Sequence, residues 1–295
     1  MIIPELHPLE RVERISGSDL HCWVYRDEPG PEGQDPETVL MVHGLRGTHE
    51  GLELIAAELA DQRVAIPDLP GFGDSGPMTE RRHDIAGYAE AMLELARRLG
   101  GDARPISLVG HSFGSIVAAR LAAAAPELVR RLVLINAIAS PALEGPRVVL
   151  SSLTAAYYSL GEHLPVRAAH SLLSNRWVVL AASRAMTRTR DPRLRGFIDR
   201  NHLRNFSRFH SPAVLGETFR ASVTHTVSDY ADALTMPVLL IAGETDDIAP
   251  LAGQRALAER LPESELVIIP EVGHLVHYET PARAGAEIRR FLGCA

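Results

Sequence analysis

The 295-residue chain predicts an α/β fold, a mostly parallel sheet with helices on both faces. Three observations predict it. Short runs rich in Val, Ile and Leu recur along the chain, and stretches with apolar residues at three- and four-residue spacing separate them. Such runs lack the apolar–polar alternation of a strand with one wet face. They read as strands buried on both sides, the environment of a parallel sheet whose crossovers are helices. The third observation is a serine between two glycines where one such run meets one such helix, in ISLVGHSFGSIVAARLAAAAP at residues 106–126.

The elements follow in chain order. LHCWVYR (20–26) reads as a strand, and TVLMVHG (38–44) as a buried strand ending in a turn. Residues 51–60 are helical, and RVAIPDLPG from residue 63 is a strand running into a loop. Residues 84–99 form a helix with an apolar face; PISLVG (105–110) is a strand, 113–125 a helix, and RLVLINAIA (131–139) another strand. Near the end, PVLLIAG (237–243) and ELVIIP (265–270) are strands, each followed by a helix, over 252–261 and 281–292.

One segment breaks this rhythm. Residues 141–234 contain no convincing buried strand and carry breaks at Gly161, Pro165, Pro192, Gly196 and Pro212. They are expected to form several short helices inserted between two core strands, dividing the chain into core (1–140), helical cap (141–234) and core (235–295). The segment has 12 arginines against 7 acidic residues, so it is net basic in an acidic protein. A solvated helical exterior explains that; the sharper reading is a surface for anionic lipid or an acidic substrate.

Composition excludes several function classes. The net charge of −7 gives no basic footprint for a nucleic acid. All 30 basic residues are arginine, so neither Schiff-base chemistry nor a lysine-dependent phosphate loop is available. The two cysteines, Cys22 and Cys294, have no metal-ligand spacing and are expected to be free thiols in a reducing compartment. No metal and no cofactor is expected. The first residues lack a basic head before an apolar stretch, and no apolar run approaches the ~20 residues of a membrane span, so the expected location is the cytoplasm.

The serine between glycines carries the chemistry. GHSFG at 110–114 fits G-x-S-x-G at a strand-to-helix junction. Ser112 is expected on a strained turn, with Gly110 and Gly114 lacking side chains because these would collide. The helix that follows would offer N–H groups and its positive dipole end to a developing oxyanion. A serine needs a base, and the base needs an acid to orient it. GETDDIAP (243–250) supplies Asp246, with Asp247 as rival; GHLVHYETP (273–281) supplies His274, with His277 as rival. Each candidate follows the carboxyl end of a strand, so Ser112, Asp246 and His274 share one rim of a parallel sheet, where ligands bind.

Five motifs in this order resemble the α/β-hydrolase superfamily: HGLRG (43–47), DLPGFGDSG (68–76), GHSFG, GETDDIAP and GHLVHYETP. The resemblance covers nearly the whole chain and implies an eight-stranded sheet. It also implies an oxyanion hole formed by the backbone N–H groups of Leu45 and Phe113, and a cap at 141–234. His43 is expected to hold the oxyanion loop by backbone hydrogen bonds, Asp68 to brace turns, and His111 to face away from the substrate. Arg46 follows the oxyanion donor and is a candidate to reach a substrate carboxylate; a surface salt bridge is the plainer expectation. Tyr157 and Trp177, with Leu153, Tyr158 and Leu172, are candidates for an apolar pocket wall, against ordinary helix packing.

GFGDSG (71–76) fits G-x-G-x-x-G literally, but Pro77 and a polar stretch follow it instead of a helix, so no dinucleotide is expected. Ser112 separates the chain from the aspartate-nucleophile dehalogenases and epoxide hydrolases that it resembles. Leu275 after the histidine and His111 before the serine depart from the pattern of the carbon–carbon bond hydrolases. A carboxylic-ester hydrolase acting on a small ester with an apolar acyl or alcohol group is the expectation. Lactone, thioester or carbon–carbon cleavage, or a slow-turnover ligand receptor, are the alternatives.

Overall fold

A computed structural model of the chain describes residues 7–27, 37–59, 61–100, 104–141 and 148–293, the side chains of 148–153 excepted. Cys294 and the Leu153 side chain lie outside the described residues. The eight strands are β1 (Leu9–Ile15), β2 (Ser18–Tyr25), β3 (Thr38–Val42), β4 (Arg63–Pro67), β5 (Ile106–His111), β6 (Val129–Ile135), β7 (Val238–Gly243) and β8 (Ser264–Ile269). They form one sheet in the order β1-β2-β4-β3-β5-β6-β7-β8. β3 to β8 are parallel, and β2 runs antiparallel to both β1 and β4.

Every residue of β3, β5 and β7 is buried, which explains their unbroken apolar runs. Alternate side chains enter two cores, one on each face. Leu40, Val42, Leu108 and Leu134 pack with α2 (Ile85–Gly100) and α3 (Phe113–Ala124). Val39, Met41, Val109 and Val133 pack with α1 (Glu53–Glu58) and α11 (Pro281–Leu292). Each fully buried Leu, Ile or Val stabilises the fold by about 1.5–3 kcal/mol relative to exposure.

β1 escapes the sequence reading. Its apolar Leu9 and Val12 are 52% and 55% exposed on an edge strand, so the burial pattern that marks the central strands is absent. The helix expected over 51–60 is shorter, a 3₁₀ turn at His49–Gly51 followed by α1.

Between β6 and β7 lie α4 (Val148–His163), α5 (Val166–Leu173), α6 (Arg176–Met186), α7 (Pro192–Asn205) and α8 (Pro212–Thr224). Their starts are chemically marked. Asn175, Asp191 and Ser211 each accept backbone N–H bonds at the N-cap, and Pro192 and Pro212 open their helices. Gly161 and Gly196, read as breaks, lie inside α4 and α7; a Cβ at Gly161 would stand 2.7 Å from Leu173, so close helix packing explains that glycine. The insertion is stitched to the core at Phe72 and Phe209, which form an isolated bridge, and by Gly73 N–H to the Arg208 carbonyl at 2.9 Å. α9 (Leu251–Arg260) and the short α10 (Val276–Glu279) complete the described α-helices.

Candidate active site

Ser112 stands between β5 and α3 with φ 53° and ψ −120°, a region that L-residues avoid. The surrounding backbone holds it there. Its N–H donates to the Ile135 carbonyl at 3.1 Å, and its carbonyl accepts the Ser115 N–H at 2.8 Å and the Ser115 hydroxyl. A Cβ on Gly110 would lie 2.5 Å from the Gly114 carbonyl oxygen, and one on Gly114 would lie 2.2 Å from that of Val42. Both glycines are therefore demanded by backbone-to-backbone approach.

The far end of the chain supplies the ring. His274 Nε2 is 2.8 Å from Ser112 Oγ, and Nδ1 is 2.8 Å from Asp246 Oδ2. Asp246 accepts, so Nδ1 carries the proton and Nε2 is the acceptor for the Ser112 hydroxyl. The other carboxylate oxygen accepts from the Ile248 and Ala249 N–H groups at 2.7 and 3.0 Å. Burial pushes the Asp246 carboxyl up. The His274 charge and hydrogen bond, with those two amides, outweigh burial and hold it below the usual carboxylate range.

The two rivals are elsewhere. Asp247 is exposed and pairs with Arg188. His277 is buried with its ring 4.1 Å from that of His111, and its Nδ1 has no hydrogen-bond partner among the described residues.

Supporting residues fix the loops. His43 donates from Nδ1 to the Gly44 carbonyl at 2.8 Å and accepts the Leu69 N–H at Nε2, 2.9 Å. Asp68 accepts from the His49 and Asp74 N–H groups at 2.7 and 2.8 Å, and from His49 Nδ1 at 2.9 Å. A Cβ on Gly73 would fall 1.8 Å from Asp68 Oδ2, so this carboxylate accounts for a glycine of the 71–76 motif. His111 turns to the His274 carbonyl, 3.2 Å from its Nε2. Burial first, then the neighbouring His274, lowers the His111 pKa to about 3.

Asn136 went unnoticed in the sequence. It follows β6, is fully buried at φ 48°, accepts the Gly243 N–H at 3.0 Å and donates to the Gly273 carbonyl at 3.1 Å. It thus clamps the turns that lead to Asp246 and His274. Its signal was present, an asparagine at the carboxyl end of an apolar run. Arg188 is a second tie: its N–H donates to Glu279 at 2.7 Å, joining the end of α6 to the His274 loop.

Gly44 to Gly47 form a turn closed by the Gly47 N–H on the Gly44 carbonyl at 2.9 Å. It presses on the serine, since a Cβ on Gly44 would be 3.2 Å from Ser112 Cβ. The Leu45 N–H and the Phe113 N–H, first in α3, have no acceptor among the described residues.

Arg46 departs from the expected surface salt bridge. It is 6% exposed, and its guanidinium donates to the carbonyls of Phe206 and Leu173, at the ends of α7 and α5. Tyr157 is half-buried, donating to the Leu172 carbonyl at 2.9 Å within the insertion. Trp177 is 69% exposed with Arg176 over its ring, so the structure does not bring it to Ser112.

Among the described residues, no group of three or more His, Cys, Asp or Glu is placed to hold a metal, and no helix is long and apolar enough to cross a membrane. A serine hydroxyl bonded to an imidazole that is bonded to a buried carboxylate can deliver an alkoxide-like nucleophile and recover its proton.

The family model described as alpha/beta hydrolase fold matches residues 37–281. Lipase LipV of Mycobacterium tuberculosis is 38% identical over 133 residues, 44% of this chain and 45% of that protein. A thermophilic esterase from Thermogutta terrifontis, solved with malate bound, superposes with a TM-score of 0.75 at 22% identity, covering 97% of this chain and 98% of its own. The 2-hydroxy-6-oxo-6-phenylhexa-2,4-dienoate hydrolase of Rhodococcus sp. strain RHA1 also gives 0.75, at 19% identity, covering 98% of this chain and all of that one.

Proposed function

The chain belongs to the alpha/beta hydrolase fold family, and from that premise we propose that it is a serine hydrolase cleaving carboxylic ester bonds through an acyl-enzyme. The observation that carries the reading is the unbroken relay from Asp246 through His274 to Ser112, 2.8 Å at each step. In the first half-reaction His274 Nε2 takes the hydroxyl proton as Ser112 Oγ bonds to the ester carbonyl carbon. The carbonyl π pair moves to oxygen, where the Leu45 and Phe113 N–H groups receive it. The oxyanion collapses, the C–O bond to the alcohol breaks, and His274 protonates the leaving oxygen. Water then repeats the sequence on the acyl-enzyme, releasing the acid and restoring Ser112.

Each oxyanion donor is worth about 2.7–4 kcal/mol in reactions of this kind. Asp246 stays ionised and stabilises the transient imidazolium. Residues 141–234 act as the cap that selects the acyl or alcohol group.

The test is a panel of p-nitrophenyl esters of graded chain length, with a lactone and a thioester alongside. Hydrolysis is expected for the wild type. Ser112→Ala should lose roughly 10⁴- to 10⁶-fold in kcat, and Asp246→Asn roughly 10⁴-fold. No turnover of any ester, with tight retention of a ligand, would make the protein a receptor; turnover of a dienone and no ester would make it a carbon–carbon hydrolase.

A further inference from the structure

Arg46 is placed where an arginine is costly. Its backbone lies at φ 61°, the left-handed region, which costs a side-chain-bearing residue about 1–2 kcal/mol. Its side chain is 6% exposed, and arginine is seldom buried without an acidic partner. Among the described residues no carboxylate lies within 4.0 Å of its guanidinium.

Its hydrogen bonds are unevenly shared. Nε donates to the Phe206 carbonyl at 2.8 Å, and Nη2 donates to that carbonyl and to the Leu173 carbonyl, the latter at 2.6 Å. Among the described residues Nη1 donates to the Tyr158 hydroxyl, at a long 3.4 Å, and the Tyr157 hydroxyl is a further neighbour of the guanidinium. The Phe206 and Phe209 rings face the guanidinium carbon at 5.4 and 5.7 Å. Carbonyl dipoles and ring faces solvate the charge but leave it positive. This charge sits between the insertion and the turn that presses on Ser112, one residue after the Leu45 N–H.

We propose that Arg46 recognises a carboxylate carried by the substrate, with Nη1 and the Tyr158 hydroxyl as the donors. The substrate class is then an ester whose acyl or alcohol portion ends in a carboxylate. The planar fork of a guanidinium suits that group, and a buried cation gains most from it because water does not compete. This proposal rests on the serine-hydrolase reading and narrows it.

Two measurements test it. The first compares p-nitrophenyl monoesters of succinate, glutarate and adipate with neutral esters of equal chain length. The wild type is expected to favour at least one anionic ester by roughly 10- to 100-fold in kcat/KM, the worth of a charge-assisted hydrogen bond. Arg46→Gln should bring that ratio near one, and Arg46→Lys should keep part of it. A wild-type preference for the neutral esters, or a ratio that Arg46→Gln leaves unchanged while stability falls, overturns the proposal and leaves Arg46 a structural staple.

The second measures binding of glutarate and adipate to Ser112→Ala by calorimetry. Saturable binding that is lost in the Ser112→Ala/Arg46→Gln double variant is expected. No binding of either dicarboxylate overturns the anion site whatever the esters do. Binding without cleavage of any ester by the wild type leaves the site standing and sinks the hydrolase reading instead.

Discussion

Asn136 and Gly273 are joined across 137 positions of sequence by a 3.1 Å hydrogen bond from the carboxamide to the carbonyl. The same carboxamide accepts the Gly243 N–H, so one side chain holds both loops that converge on Ser112. Asn136→Ala would leave a buried donor and acceptor unsatisfied, costing about 1–3 kcal/mol in urea unfolding. It should also lower kcat roughly 10- to 100-fold, because His274 sits one residue beyond the released carbonyl. Asn136→Asp keeps the acceptor but sets a carboxylate against the Gly273 carbonyl. Lone-pair repulsion there should lower kcat about as much as Asn136→Ala does, measured alongside it at one pH.

Buried histidines should weaken the fold in acid. Burial lowers the His111 pKa to about 3 and that of His202 to about 4, and pushes His277 well below its ordinary value. His111, His202 and His274 face His277, and their mutual repulsion adds to its depression. In the unfolded chain such rings take up protons near pH 6.5. The folded state therefore binds fewer protons, and stability is full above about pH 6.5 and falls toward the folded pKa values. The slope is up to about 1.4 kcal/mol per pH unit for each ring. His202→Phe, whose ring can fill the space beside Phe206 and Tyr278, should flatten the decline in unfolding free energy between pH 7 and pH 5.

The backbone at Ser112 reverses a usual ranking. Glycine normally destabilises a folded chain relative to alanine, but φ 53° favours it here. Ser112→Gly and Ser112→Ala should both be inactive, with the glycine variant the more stable by about 1 kcal/mol in calorimetric or urea unfolding.

The central architecture was legible because the strands that make it are buried on both faces. β3, β5 and β7 announce themselves as apolar runs, and the helix over Pro281–Leu292 begins at its proline. β1 was not, because an edge strand needs no apolar face. Ser112, Asp246 and His274, whose side chains meet, stand just past strand ends, and turn chemistry marks such positions in the sequence. Arg46 was not, because the carbonyls that bury it belong to Leu173 and Phe206, more than a hundred residues away, and a local sequence window shows no partner. Asn136 showed its place at the end of an apolar run but not its partners, Gly243 and Gly273, which lie more than a hundred residues on. The fate of Trp177 depended on which face of α6 meets the core, and its neighbours in sequence do not decide that.

Gly114 abuts the carbonyls of Val42 and His43 with no side chain between them. The spacing of the hydroxyl-bearing bend and the turn after β3 is thus set by main chain against main chain. Amino-acid replacement in lineages diverging from this one has no lever on that spacing short of replacing the glycine itself. Residues 148–234 meet the core through main chain at the Phe72–Phe209 bridge and at Gly73, and also through side chains such as Arg46, which replacement can alter. The bend and the turn that faces it would then be inherited as one unit, while those side-chain contacts are free to vary.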